Sequence, residues 1–251
     1  MNRNCIDDAA WSKIFKFLQG LEGMYIVSES KIKKFIDAVY WMARSGSNWR
    51  LLPMQYGLWN SIYKRFNSWS EKGIWSKFHE FCMADPDLES VMIDATIVRA
   101  HACSGGYKKG QQEHEGLGRS AGGFSTKIHV KVDALGNPLQ FIVTPGQQHD
   151  VTQAKELLKN EKNCNVLADK GYDSKDIRNF LENHNCTVII PSRSNSKSFH
   201  KYDKILYKER HSVECFFSKM KHYRRVFSRF DKMKRNFIAF LSFVAGILWL
   251  R

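Results

Sequence analysis

Two apolar runs that each reach an aspartate constrain this chain more than any other feature. Val91-Met92-Ile93-Asp94 opens a stretch continuing through Ala95-Thr96-Ile97-Val98, and Val166-Leu167-Ala168-Asp169 precedes Lys170-Gly171-Tyr172. Short runs of this kind read as buried strands. A carboxylate at the end of a buried strand is costly unless something positive binds it. A third acid, Glu214, lies in Tyr207-x2-Arg210-x3-Glu214-x6-Lys221. Hard divalent cations take carboxylate oxygens, so Asp94, Asp169 and Glu214 together predict a site for metal.

The charge balance says what such a site would act on. The chain has 251 residues and a net charge of +14, which suits a polyanionic partner. Between Arg193 and Arg235 there are 14 Lys and Arg against four acids, a local excess of +10 surrounding Glu214. A solvated face without a ligand is the plain alternative. A paired-metal carboxylate site on a strongly basic protein points to phosphodiester chemistry, with two Mg²⁺ ions, or Mn²⁺ in their place, roughly 4 Å apart. Asp94 would bridge both ions, and Asp169 and Glu214 would each complete one.

Six cysteines (5, 82, 103, 164, 186 and 215) contain no C-x-x-C pair and read as reduced thiols. The polar start, Met1 to Asp8, is no secretory signal. The apolar stretch from Phe237 to Leu250 is 14 residues, too short to span a bilayer, and reads as a core helix. The expectation is a soluble cytoplasmic protein with no membrane partner, associated with the nucleoid when bound to DNA.

Residues 1–85 read as helical. Trp11, Ile14, Phe15 and Leu18 share one face, as do Ile32, Phe35, Ile36 and Val39, and Ser28 or Ser30 caps the second helix. A third carries Trp59, Ile62, Tyr63, Phe66 and Trp69, with Lys64 and Arg65 opposite. This unit is either a helix-turn-helix-like DNA-binding leader or an aromatic-rich helical support. From residue 86 to 251 the period changes. Strands are expected at 91–98, 127–132, 139–144, 166–169 and 187–190. Helices are expected from Asp150, as N-cap, through Leu158, over 175–183, and in a long basic tail from about Lys204. That order, three strands, then helix, strand, helix, strand and helix, is α/β and matches a ribonuclease H-like domain with a mixed five-stranded sheet.

The stretch from Cys103 to Gly123 holds seven glycines with Lys108, Lys109 and Arg119. Such a loop lets the backbone approach phosphates, or is simply flexible. On a helix, at about 100° per residue, Tyr207, Arg210, Glu214 and Lys221 fall within about 60° of one another. Arg210 and Lys221 could hold phosphates and Tyr207 could stack on a displaced base; an intrahelical ion-pair ladder is the bland reading. Arg224 and Arg225 continue the basic surface. His101 and His129 are lesser candidates near the metals.

These residues resemble DDE transposases of bacterial insertion sequences, specifically insertion sequence family 5. The blocks that carry the resemblance are Gly46-x-x-Trp49-Arg50-x-Leu52-Pro53, Asp94-Ala95-Thr96-x-x-Arg99-Ala100-His101, Gly118-Arg119-Ser120-x-Gly122-Gly123, Asp133-Ala134-x-Gly136-Asn137-Pro138, Asp169-Lys170-Gly171-Tyr172-Asp173-Ser174 and the Tyr207, Arg210, Glu214, Lys221 spacing. The resemblance implies binding of terminal inverted repeats, metal-dependent cutting, joining of 3′-hydroxyls to target DNA, and action as a homo-oligomer on paired ends. His211 stands where this family usually has asparagine, and Cys215 where it usually has arginine. The rivals are a ribonuclease H-like nuclease without strand transfer and a catalytically decayed DNA-binding protein. Only 44 residues separate Asp169 from Glu214, which leaves no room for a large insertion between them.

Overall fold

The computed structural model describes residues 6–26, 28–106, 111–196 and 199–251. They fall into two compact units, one of Met1–Ala84, His101–Gly105 and Met220–Arg251, the other of Asp85–Ala100 and Gly106–Lys219. The break at residue 85 coincides with the change of period in the sequence. The last 32 residues, expected to belong with the sheet, group with the N-terminal helices instead.

In chain order the helical unit opens with α1 (Asp8–Gln19), capped by the Asp7 carboxylate, which accepts from the Ala10 amide at 2.8 Å. Ser28 rather than Ser30 caps α2 (Glu29–Ser45). Helices α3 (Trp59–Glu71) and α4 (Ile74–Cys82) follow. Trp11, Ile14, Leu18, Phe35, Ile36, Val39, Phe66 and Trp69 are buried as their helical spacing predicts.

The sheet unit contributes β1 (Ser90–Ala100), a short α5 (Gln111–His114), β2 (Gly118–Ser120), β3 (Gly123–Val132), β4 (Pro138–Pro145), α6 (Ala154–Leu158), β5 (Asn165–Leu167), α7 (Lys175–Glu182), β6 (Thr187–Ile189) and most of α8 (His211–Lys221). β1 lies centrally, antiparallel to β3 on one side and parallel to β5 on the other. β4 runs antiparallel to β3, and β6 parallel to β5. This is the expected mixed sheet of five strands, with β2 an addition inside the glycine-rich stretch. Gly118 and Gly123 are therefore strand residues, whereas Lys108 and Lys109 lie outside the described residues. Val91, Ile93, Val166 and Ala168 pack with Leu157, Leu158, Ile177 and Leu181 into a core between the sheet and α6 and α7.

Two expected elements differ. Asp150 is not a cap: the N-cap position is His149, which makes no side-chain cap bond, and Asp150 begins a 3-10 turn ahead of α6. The Asp150 carboxylate instead accepts from Lys127 Nζ at 2.7 Å. The basic tail is not one long helix but a 3-10 turn over Leu206–Arg210, then α8, a short α9 (Arg224–Phe227) and α10 (Lys234–Trp249). The apolar α10 is a core helix, as read. Phe240 stacks on Phe66 with centroids 4.4 Å apart, and Phe243 meets Trp75 edge-on at 5.3 Å. No helix among the described residues is long and apolar enough to cross a membrane.

Candidate active site

The backbone brings the two aspartates level. β1 and β5 run parallel with Met92 opposite Leu167, so Asp94 and Asp169 each follow this pair by two residues. Asp94 does not end its strand. It is the fifth residue of β1, at the point where full burial gives way to partial exposure. The strand runs on because β3 continues to pair with it as far as Arg99 opposite Ser125. β5 stops at Leu167, and Asp169 turns the chain as N-cap of the 3-10 turn Lys170–Tyr172, accepting from the Gly171 amide at 2.6 Å.

The same register explains how Glu214 arrives. Directly opposed residues on neighbouring strands share a face, and Asp94, Val130 and Phe141 are opposed across β1, β3 and β4. Phe216 of α8 packs on Phe141 with centroids 6.0 Å apart, so α8 covers the face that carries Asp94. Gly136, in the turn between β3 and β4 at φ +81°, sets the approach. A Cβ there would lie 2.9 Å from the Ser212 carbonyl oxygen, in the first turn of α8. Gly136→Ala should therefore cost about 1–3 kcal/mol in strain and displace the turn carrying Glu214. Cleavage is expected to fall at a temperature where circular dichroism shows the variant fully folded. Wild-type cleavage under those conditions would separate Gly136 from the site.

Arg210 ties the acids together. Its Nη1 donates to Asp94 Oδ2 at 3.2 Å, and its Nη2 donates to Glu214 Oε1. His211 Nδ1 lies 3.3 Å from Glu214 Oε2. Because residues 206–210 form a 3-10 turn, with about three residues per turn, Tyr207 and Arg210 eclipse, and the guanidinium carbon sits 6.0 Å from the Tyr207 ring. The expected stripe thus begins on a 3-10 turn and continues on α8, rather than on a single α-helix. Lys221 ends α8.

The electrostatics are those of crowded acids. Asp94 is pushed up to about 6, chiefly by burial and further by Asp169 and Asp150, against the Ala95 amide and Arg210. Glu214 is held below the usual carboxylate range by its hydrogen bond with His211 and by Arg210. The buried Tyr172 hydroxyl has no hydrogen-bond partner among the described residues and is raised by burial and by Asp94, Asp150 and Asp169. Asp150 and Tyr172 therefore belong to the neighbourhood of Asp94. Nothing in the sequence marked Asp150, whose partner Lys127 is 23 residues away.

Three carboxylates are the donor set that a hard divalent cation requires, and a buried acid with acidic neighbours is relieved by one. In chemistry the residues fit. In position Asp94 and Glu214 are set around Arg210, and among the described residues no group of three His, Cys, Asp or Glu is close enough to hold an ion. His129 and His101, unlike His211, are elsewhere. His129 adjoins Val130 in β3 and so faces away from Asp94; it is buried against the Thr144 hydroxyl, and burial lowers it to about 4. His101 caps a 3-10 turn by accepting from the Cys103 amide at 3.2 Å.

Of the basic residues, Arg119 is exposed on β2, its guanidinium 5.1 Å from the Phe124 ring. Lys221 and Arg224 line a cavity of about 420 Å³ with Arg44, His222 and Trp41, which brings in Arg44, a cation the sequence reading passed over. Arg225 must be withdrawn from the DNA surface. It is 3% exposed, forks onto Asp231 at 2.8 and 3.0 Å, and donates to the Ser47 carbonyl. Arg229 is likewise fully buried, its guanidinium on the Asp231 and Lys232 carbonyls.

The sheet order, with one acid inside its central strand and another just beyond the end of the parallel strand beside it, defines a ribonuclease H-like fold. A family described as "Transposase DDE domain" matches residues 85–249, and one described as "Putative transposase of IS4/5 family" matches residues 6–79. The chain is 40% identical over 129 residues to the "Putative transposase for insertion sequence element IS6501" of Brucella ovis, spanning 51% of this chain and 99% of that one. It is 33% identical over 125 residues to "Uncharacterized protein y4sN" of Sinorhizobium fredii, spanning 49% and 100%. In fold it is similar to a chain of the piggyBac transposase synaptic complex with hairpin DNA, with TM-score 0.50 and 13% identity over 98% of this chain and 73% of that one. The chain belongs to the DDE transposase family, in its IS4/5 branch, and is an enzyme of DNA transposition.

Proposed function

We propose that this transposase binds the terminal inverted repeats of its insertion sequence, cleaves the DNA there, and joins the freed 3′-hydroxyls to target DNA. Asp94, Asp169 and Glu214 would hold two Mg²⁺ ions, or Mn²⁺. The observation that carries this is the convergence of Asp94 and Glu214 on one guanidinium, with Asp169 within electrostatic reach of Asp94. Bound there, the ions would activate the attacking oxygen and neutralise the leaving one. Asp94 would stand between the other two acids, fixed by the most extensively paired strand. Arg210 would clamp a phosphate with its fork and Tyr207 would stack beside it. Lys221, Arg224 and Arg119 would hold the DNA backbone without reading bases, and residues 1–85 would form a DNA-binding leader. Action on paired ends would make the working species a homo-oligomer.

A strand-transfer assay with labelled element ends tests the whole. A product joining an end to target DNA is expected with Mg²⁺. Cleavage without any joined product would leave a nuclease. For the DNA surface, Lys221→Ala should flatten the salt dependence of binding by about one phosphate contact while leaving metal affinity unchanged. An unchanged slope would remove Lys221 from the interface.

A further inference from the structure

We infer that Arg210 is a positioning residue that keeps Asp94 and Glu214 closed on its own guanidinium in the DNA-free protein, and yields them to a divalent cation when a DNA phosphate takes that guanidinium. The inference rests on the site proposed above and adds an order of events to it.

The geometry is specific. Two different nitrogens of one guanidinium reach two acids on separate elements, Asp94 in mid-sheet and Glu214 in the first turn of α8. The Arg210 and Asp94 side chains are 19% and 22% exposed, so the bridge is largely desolvated at its Asp94 end, while Glu214, 48% exposed, stays in reach of solvent. The guanidinium occupies the space between two of the three acids a cation would need, and two positive centres repel at that range. One positive charge also undercompensates the site. Arg210 brings one positive charge to the two carboxylates it bridges, with Asp169 a third acid near Asp94 and Asp150 already paired with Lys127, so the pocket favours a doubly charged occupant.

What Arg210 lacks, for leaving, is another anion. A phosphodiester offers two oxygens in the plane that an arginine fork matches. Arg210 stands at the last residue of the 3-10 turn, immediately before α8, and Tyr207 lies one turn earlier on the same side. A short 3-10 stretch joined to an α-helix is a common place for local rearrangement. The consequence is coupling. DNA that draws Arg210 away raises the affinity for metal, and metal must then raise the affinity for DNA by the same factor.

Mn²⁺ binding to the full chain, followed by the electron paramagnetic resonance of free Mn²⁺, tests this without any turnover. The probe DNA is a duplex of arbitrary sequence at low salt, with the signal from duplex alone subtracted. The pH is held at 8, above the Asp94 transition, so that protonation does not confuse the comparison. Arg210→Ala and the isosteric, uncharged Arg210→Gln should each bind Mn²⁺ about tenfold more tightly than wild type without DNA. Duplex should tighten wild type by a comparable factor and leave both variants almost unchanged. Affinity in the folded variants equal to or weaker than wild type would overturn the inference and make Arg210 an ordinary strut. Asp94→Asn separates the two levels. If it binds Mn²⁺ like wild type, the metal-site reading itself fails. If it loses Mn²⁺ while the Arg210 variants match wild type, only the coupling fails.

Discussion

Asp94→Asn is expected to reduce strand cleavage by about a thousandfold or more, and at the same time to make the metal-free protein more stable. The first effect follows if Asp94 is, as proposed, a ligand shared by two charge-neutralising ions, whose loss takes several kcal/mol from the transition state. The second follows from burial. Asp94 titrates at about 6 in the folded protein against an ordinary value of 3.8, with burial the leading cause. An acid raised on folding binds its proton more tightly in the native state, so stability falls as pH rises from about 4 to about 6 and stays reduced above that. The shift corresponds to about 2–3 kcal/mol. Asparagine has the shape of the carboxyl without its charge, and the raised value already includes the help from Arg210. Thermal melts in chelator should show the variant several degrees more stable at pH 8 and the gain gone near pH 4. A variant less stable at both pH values would mean that Arg210, not burial, dominates at Asp94.

Arg225→Ala is expected to cost about 3–5 kcal/mol of stability, because it strands the Asp231 carboxylate in a site where both side chains are 4% exposed. The guanidinium also lies 5.1 Å from the Trp49 ring and 4.9 Å from the Phe240 ring, so the truncation loses packing as well. Arg224→Ala, one residue earlier, removes an exposed cation from the cavity shared with Lys221. It should leave the melting temperature nearly unchanged and lower the salt slope of DNA binding. The pair is a direct comparison of two adjacent arginines. Denaturant unfolding and binding titrations at several salt concentrations would check it. An Arg225 variant as stable as wild type, with weakened DNA binding, would return that residue to the surface.

The contrast between these neighbours marks what a sequence conveys. Arg224 and Arg225 look alike in a basic run, and only Asp231, six residues on, decides that one is interior. The strands were legible because alternation such as Lys127-Ile128-His129-Val130-Lys131-Val132 has one natural reading. Asp94 as a strand end was not, because β3 continues to pair with β1 well past it. Tyr207 and Arg210 were legible as neighbours, since a separation of three residues places them together on an α-helix and on a 3-10 turn alike. Which of the two they occupy was not. Asp150 was read as a cap and not as a neighbour of the site because an aspartate before a helix is ordinarily a cap, and its lysine partner lies on a distant strand.

The placement of α10 has a consequence for how the protein is made. Helices α3 and α4 bury Phe66 and Trp75 against Phe240 and Phe243 of α10, which is made only after the whole sheet unit. The sheet unit, continuous apart from five residues, can close during translation, whereas the helical unit must wait with aromatic surface uncovered until α10 emerges. A ribosome that stops before Lys234 would therefore release a finished sheet carrying an unfinished first domain.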